Sequence, residues 1–98
     1  MAVDMTQELE DWESLIDCGY LTFTARRGKA RGNIIILHNV QFGDVEIRDH
    51  VWVKRNKSLT VIKPDTPIRF QARLYRYLKN DGRYQVGVRD VQKCKVIE

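Results

Sequence analysis

The chain has 98 residues, 43% hydrophobic and 31% charged, enough for one domain with a small core and too apolar for a disordered tail. No apolar run approaches the roughly 18–20 residues of a membrane span; the longest is Ile34-Ile35-Ile36-Leu37. The first residues turn acidic at once, unlike a secretory signal or an Arg-rich transit peptide, and Cys18 and Cys94 are too few for a disulfide framework, so a soluble cytoplasmic protein is expected.

The net charge of +4 hides a division. Residues 1–17 carry six acids and no Lys or Arg, a charge of −6. Residues 18–98 carry all 17 Lys and Arg against the other 7 acids, a charge of +10. A body that basic points to a polyanionic partner, most often nucleic acid.

In chain order, residues 1–19 predict an acidic amphipathic helix. Met5, Leu9, Trp12 and Ile16 form one stripe at helical spacing, Asp4 or Thr6 caps it and Gly19 stops it. Trp12 reads as a packing residue. From Tyr20 the period becomes two. Residues 20–27 predict a half-buried strand with Leu21, Phe23 and Ala25 inward. Arg27-Gly28-Lys29-Ala30-Arg31-Gly32 reads as a basic turn, and residues 33–40 as an apolar strand covered on both faces. After a turn at residues 41–44, residues 45–54 put Val45, Ile47, Val51 and Val53 on one face. Glu46, Arg48, His50, Trp52 and Lys54 fall on the other. Asp49 has the apolar parity, which implies a bulge, a buried acceptor or a slip of register.

Residues 59–62 fit either a helical turn or a strand. Lys63-Pro64-Asp65-Thr66-Pro67 is a break. Residues 68–79 form the longest strand candidate, with Ile68, Phe70, Ala72 and Leu74 inward. Asn80-Asp81-Gly82-Arg83 carries a hairpin signal, residues 84–89 return, and residues 91–97 add a last extended piece. The expected fold is mainly β: a small five- to six-stranded antiparallel Greek-key barrel over residues 20–98, with one N-terminal α-helix. OB-like and SH3-like closures both fit, and the long first and fourth strands favour the OB type.

Catalysis finds no support. Cys18, His38, His50 and Cys94 lack metal-ligand spacing, and no P-loop, GxGxxG or GxSxG occurs. Lys93 and Lys95 are expected to lower the Cys94 thiol pKa, but no paired base is evident. No metal or cofactor is called for, and the expectation is a protein that is not an enzyme.

Binding is better supported. One strand face presents Arg48, His50, Trp52 and Lys54, and the other presents Arg69, Arg73, Tyr75 and Tyr77. Rings interleaved with cations suit a single strand, whose bases stack while its phosphates meet positive charge. Two basic loops flank the faces: Arg26, Arg27, Lys29 and Arg31 in the first, Lys79, Arg83 and Tyr84 in the second. In an OB barrel those loops border the binding groove. Trp52 has a second reading, as a plug of the barrel end or a packing residue beneath the N-terminal helix.

The order of strand 20–27, basic turn, Ile34–Leu37, Asp49-His50-Val51-Trp52 and Ile68-Arg69-Phe70-Gln71-Ala72 resembles a loose group of small OB-fold-like proteins of bacteria, phages and mobile elements. Members typically show an Asp-His-hydrophobic-Trp step, then a Gly-Asp turn and an apolar-x-Phe-x-Ala strand. The likeness spans residues 20–97 and implies a fold more than an activity. Lys63-Pro64-Asp65-Thr66-Pro67 departs from it by lacking the glycine, and the acidic helix is additional. The reading favoured is single-stranded DNA or RNA binding of weak sequence preference. The alternative is a protein-binding module, encoded by a phage or mobile element, that inhibits a host nucleic-acid-handling complex.

Overall fold

The computed structural model describes residues 15–16 and 18–97. In chain order it has β1 (Tyr20–Arg31), β2 (Ile34–Phe42), β3 (Val45–Lys54), a short helix α1 (Lys57–Thr60), β4 (Thr66–Leu78) and β5 (Tyr84–Val96). The strands form one antiparallel sheet in the order β3-β2-β1-β4-β5. β1, β2 and β3 are a meander, and β4 returns by way of α1 to the far side of β1, the 4-1-2-3 order of a Greek key. β3 and β5 are the edges. Among the described residues no ladder joins them, although Arg48 of β3 donates to the Val86 carbonyl of β5 at 3.2 Å.

Alternation builds the core. Phe23 and Ala25 of β1, Ile68, Phe70, Ala72 and Leu74 of β4, and Val86 and Val88 of β5 are all buried. Phe23 and Phe70 are direct cross-strand partners with ring centroids 5.7 Å apart, and Phe42 packs 5.8 Å from Phe23. Such pairs add about 0.5–1.5 kcal/mol beyond the area they bury.

Bulges curl this sheet. β5 sets two residues against one of β4 at Asp90 and again at Lys93, which adopt φ values of 56° and 53°. β2 does the same against β1 at Asn39, with φ 53°. Each extra residue bends its strand and increases the local twist.

Several expectations need correction. The basic turn expected at residues 27–32 is mostly strand, because β1 runs on to Arg31 and bulges at Gly28 and Lys29 rather than turning. β2 is not covered on both faces: Ile34 is exposed and Ile36 half-buried. Pro67 belongs to β4, where its carbonyl still accepts a bond from Ile97 N–H at 3.0 Å. The two last pieces are a single strand, giving five strands among the described residues. Of the acidic helix expected over residues 1–19, all but Leu15, Ile16, Cys18 and Gly19 lies outside the described residues. Leu15 and Ile16 are half-buried against the core. The helix wholly within the described residues is α1, not an N-terminal one. No helix among the described residues is long and apolar enough to cross a membrane.

α1 resolves the ambiguity at residues 59–62 as a helical turn that seals one end of the core. Leu59 is 0% exposed and Ile62 is buried beside it. Asn56 makes this possible with both ends of its amide. Its Oδ1 accepts the Leu59 N–H at 2.9 Å as the N-cap, and its Nδ2 donates to the Val91 carbonyl of β5 at 3.0 Å. Asn56→Ala is therefore expected to cost more than an ordinary cap, about 1–3 kcal/mol. Asn56→Asp keeps the acceptor, loses the donor and should fall between, as read by urea denaturation. Equal stability of all three proteins would show that the amide does not tie α1 to β5.

Candidate nucleic-acid interface

Cross-strand pairing sorts the expected binding residues into rows on the outward face of the sheet. Arg26, His38 and His50 form one row across β1, β2 and β3. Ile36 and Trp52 form the next, and Arg31, Ile34 and Lys54 the one beyond. Rows two residues apart along a strand are separated by about 7 Å. Trp52 is 46% exposed, so it is no part of the core, while the helix it was alternatively expected to pack beneath lies mostly outside the described residues. An indole beside Ile36 thus stands between a row that contains Arg26 and one that contains Arg31 and Lys54.

His50 is oriented by its neighbour. The Asp49 carboxylate accepts the His50 backbone N–H at 2.9 Å and lies 3.1 Å from His50 Nδ1. Asp49 is therefore no buried acceptor; its side chain is 76% exposed. Desolvation works against its charge, but the charge and hydrogen bonds of His50, with Arg48 behind them, hold its carboxyl below the ordinary value.

A second cluster occupies the opposite end of the β1–β4 ladder. Tyr20, Arg73 and Arg89 form a row across β1, β4 and β5. Tyr75 lies over Gly87, its direct partner on β5. The Tyr75 and Tyr77 rings are 5.5 Å apart, and the Arg89 guanidinium is 5.5 Å from the Tyr75 ring centre. Tyr77 Oη donates to Gln85 Oε1 at 2.6 Å and accepts from Arg48 Nη1 at 3.4 Å. Arg48 thereby joins this cluster rather than the Trp52 rows.

Other candidates are dispersed. Arg69 stands beside Lys95 in a row that continues to Thr24 and Gln41, apart from both clusters. Tyr84 pairs with Arg76, whose guanidinium is 4.7 Å from its ring centre. Lys79 and Arg83 hold the hairpin through Lys79 N–H to Arg83 O at 2.8 Å, with their side chains exposed. The first and second basic segments lie at opposite ends of the β1–β4 ladder. Arg27 does not join the outward face at all. It is 4% exposed, donating from Nε to Leu59 O at 3.4 Å and from Nη1 to Gly28 O at 2.6 Å. Lys29, exposed, lines a groove with residues 60–64.

Ile34, Ile36, His38 and Tyr20 were not among the expected binding residues. The shared parity of Ile34, Ile36 and His38, opposite to that of Ile35 and Leu37, is the signal that finds them once β2 is read as one-sided. The Cys94 expectation also changes: burial pushes its thiol pKa up, outweighing the hydrogen bond with Ser58, despite the adjoining lysines. Among the described residues no three His, Cys, Asp or Glu side chains converge as a metal site would require.

No family model, curated protein or solved structure matches the chain.

Gly87 offers a test of the tyrosine cluster that leaves charge unchanged. A Cβ there would sit 2.8 Å from Tyr75 ring atoms, closer than real side chains pack. Gly87→Ala is expected to displace the ring, altering the near-ultraviolet tyrosine circular dichroism at a stability cost of about 1–3 kcal/mol. An unchanged spectrum would mean that the ring is not seated on the glycine.

Proposed function

We propose that this chain binds single-stranded nucleic acid, without catalysis, across the outward face of β2 and β3, and that its sheet is an OB-type barrel left partly open between β3 and β5. The fold part of the reading is supported by the strand order, by α1 lying between β3 and β4, and by Arg48 bridging the two edge strands. OB barrels are five-stranded, partly open and Greek-key in connection, and bind strands on the face of their second and third strands.

One observation carries the functional part: Trp52 stands 46% exposed, paired with Ile36, between cationic rows. A base stacks on such a ring whatever its identity, and cations on either side meet the phosphates before and after it. Nothing on the face is a helix presented to a groove, so base-edge reading has little purchase and sequence preference should be weak. The +10 charge of residues 18–98 supplies the long-range attraction.

Two measurements on short oligonucleotides test this. Trp52→Ala should weaken binding by about 1–3 kcal/mol with little change in melting temperature, since the ring is largely outside the core. Wild-type affinity in that variant would remove Trp52 from the interface. Affinity should also fall with salt, with a log–log slope near −3 for about four phosphate contacts on a single strand. Arg26→Gln and Lys54→Gln should each reduce that slope by about 0.7. Binding indifferent to salt would overturn the electrostatic account.

A further inference from the structure

Arg27 is an anomaly for a residue of its type. It is 4% exposed, yet among the described residues no carboxylate pairs with it. Two of its nitrogens donate to carbonyls, and Nη2 has no partner among the described residues. The neighbouring charge is of the wrong sign to compensate it. Burial first, and then the proximity of Arg55, lower the pKa of the guanidinium. Asp65 is the nearest acid in the groove segment, but it is the Asp65 backbone N–H that meets Arg27, at its carbonyl, 2.7 Å away. A buried cation without a counterion is strongly unfavourable unless something supplies the opposite charge.

Arg27 also lines an open groove, with a volume of about 470 Å³, together with Lys29, Thr60, Val61, Lys63 and Pro64 among others. It lies between the bulged end of β1 and the segment that joins α1 to β4. It therefore brings two exposed lysines, Lys29 and Lys63, to the same groove as the buried Arg27. Rigid donors at the base and mobile ammonium groups at the rim form a receptor for an oxyanion.

We propose that this groove is a phosphate-binding site. Arg27 neutralises the anion from below, Lys29 and Lys63 close on it from the rim, and the phosphate belongs to a nucleic-acid strand, as an internal diester or a terminal monoester. The source of the phosphate rests on the binding reading above, but the site is separate from the Trp52 face: Lys63 and the α1–β4 segment take no part in that face.

Inorganic phosphate is the first probe, titrated against chloride at matched ionic strength into the full chain labelled with ¹⁵N. The Arg27 Nε–Hε resonance should shift saturably with phosphate alone. The melting temperature should rise by about 7 °C at a tenfold excess over the dissociation constant. Substitution of Arg27 risks the fold, so the rim is varied instead. Lys29→Gln with Lys63→Gln should weaken phosphate at least tenfold. Val61→Glu, at a position 80% exposed on the groove wall, should supply a counterion that the described residues lack: it should raise the melting temperature in chloride and abolish the phosphate response. Identical behaviour in phosphate and chloride overturns the proposal, as does a phosphate response that survives the double substitution. Oligonucleotides then identify the source. Preference for a 5′-phosphate over a 5′-hydroxyl, lost in the double variant, indicates a terminal monoester. Equal affinities, both weakened by the double variant, indicate an internal diester. Affinities indifferent to both changes overturn the assignment to a nucleic-acid phosphate. Trp52→Ala keeps the two readings apart, because it should abolish stacking while leaving the response to inorganic phosphate intact.

Discussion

β1 is the strand shared by both halves of the sheet, and it stays paired with β2 out to Arg31 only by bulging where Gly28 stands. On one side it runs in continuous register with β4 from Tyr20 to Arg27. On the other, Gly28 and Lys29 together oppose the single residue Ile36 of β2. The backbone comes so close to β2 there that a Cβ on Gly28 would lie 2.5 Å from Ile36 Cγ2 and 2.7 Å from His38 Nε2. Only glycine admits that approach. Before the bulge, ordinary alternation sends adjacent Arg26 and Arg27 to opposite faces, one in the row with His38 and the other inside beneath α1. After it, Lys29 and Arg31 emerge as exposed cations on the coiled end of the strand.

The core depends on that coil. A flat five-stranded sheet would leave one face of its apolar residues uncovered, whereas bulges on β1, β2, β3 and β5 bend the strands around Phe23, Phe70 and Leu37. Non-glycine residues hold positive φ at three of these places, a conformation that costs about 1–2 kcal/mol for an ordinary L-residue. Asn39 and Asp90 tolerate it better than most, while Lys93 does not, so at Lys93 the surrounding pairing sustains the strain. The open end that remains is closed by Leu59 and Ile62, and the Asn56 amide fastens them to β5.

What the sequence made legible follows from the kind of signal each element carries. Residues 68–79 alternate cleanly, so the inward set of β4 could be read residue by residue. The Asp-Gly hairpin was equally plain, because Asp81 Oδ1 and Gly82 at φ 82° act within the loop itself. Gly28 was misread because glycine marks both a turn and a close approach, and only the partner strand distinguishes them. Four apolar residues in a row at Ile34–Leu37 concealed the one-sidedness of β2, and with it Ile36 as the neighbour of Trp52. The burial of Arg27 follows the parity of Phe23 and Ala25 in unbroken register with β4; it was hidden because a cation at the head of a basic, glycine-marked segment reads as part of a turn.

The outward charges run counter to what a solitary sheet prefers. Like charges directly opposite one another destabilise a strand pair, yet β4 and β5 set Arg69 beside Lys95 and Arg73 beside Arg89. Asp90 eases the second pair only weakly, at 3.9 Å from Arg73 and 3.8 Å from Arg89. Screening over a Debye length of about 10 Å softens the repulsion at physiological salt but does not reverse its sign. Arg27 poses the same problem in the interior, where screening is weakest. The fold thus holds positive charge at a cost in its own stability, on its surface and beneath α1. A polyanion bound as proposed, in contact with both regions, would relieve that cost, so that the strain would add to the affinity.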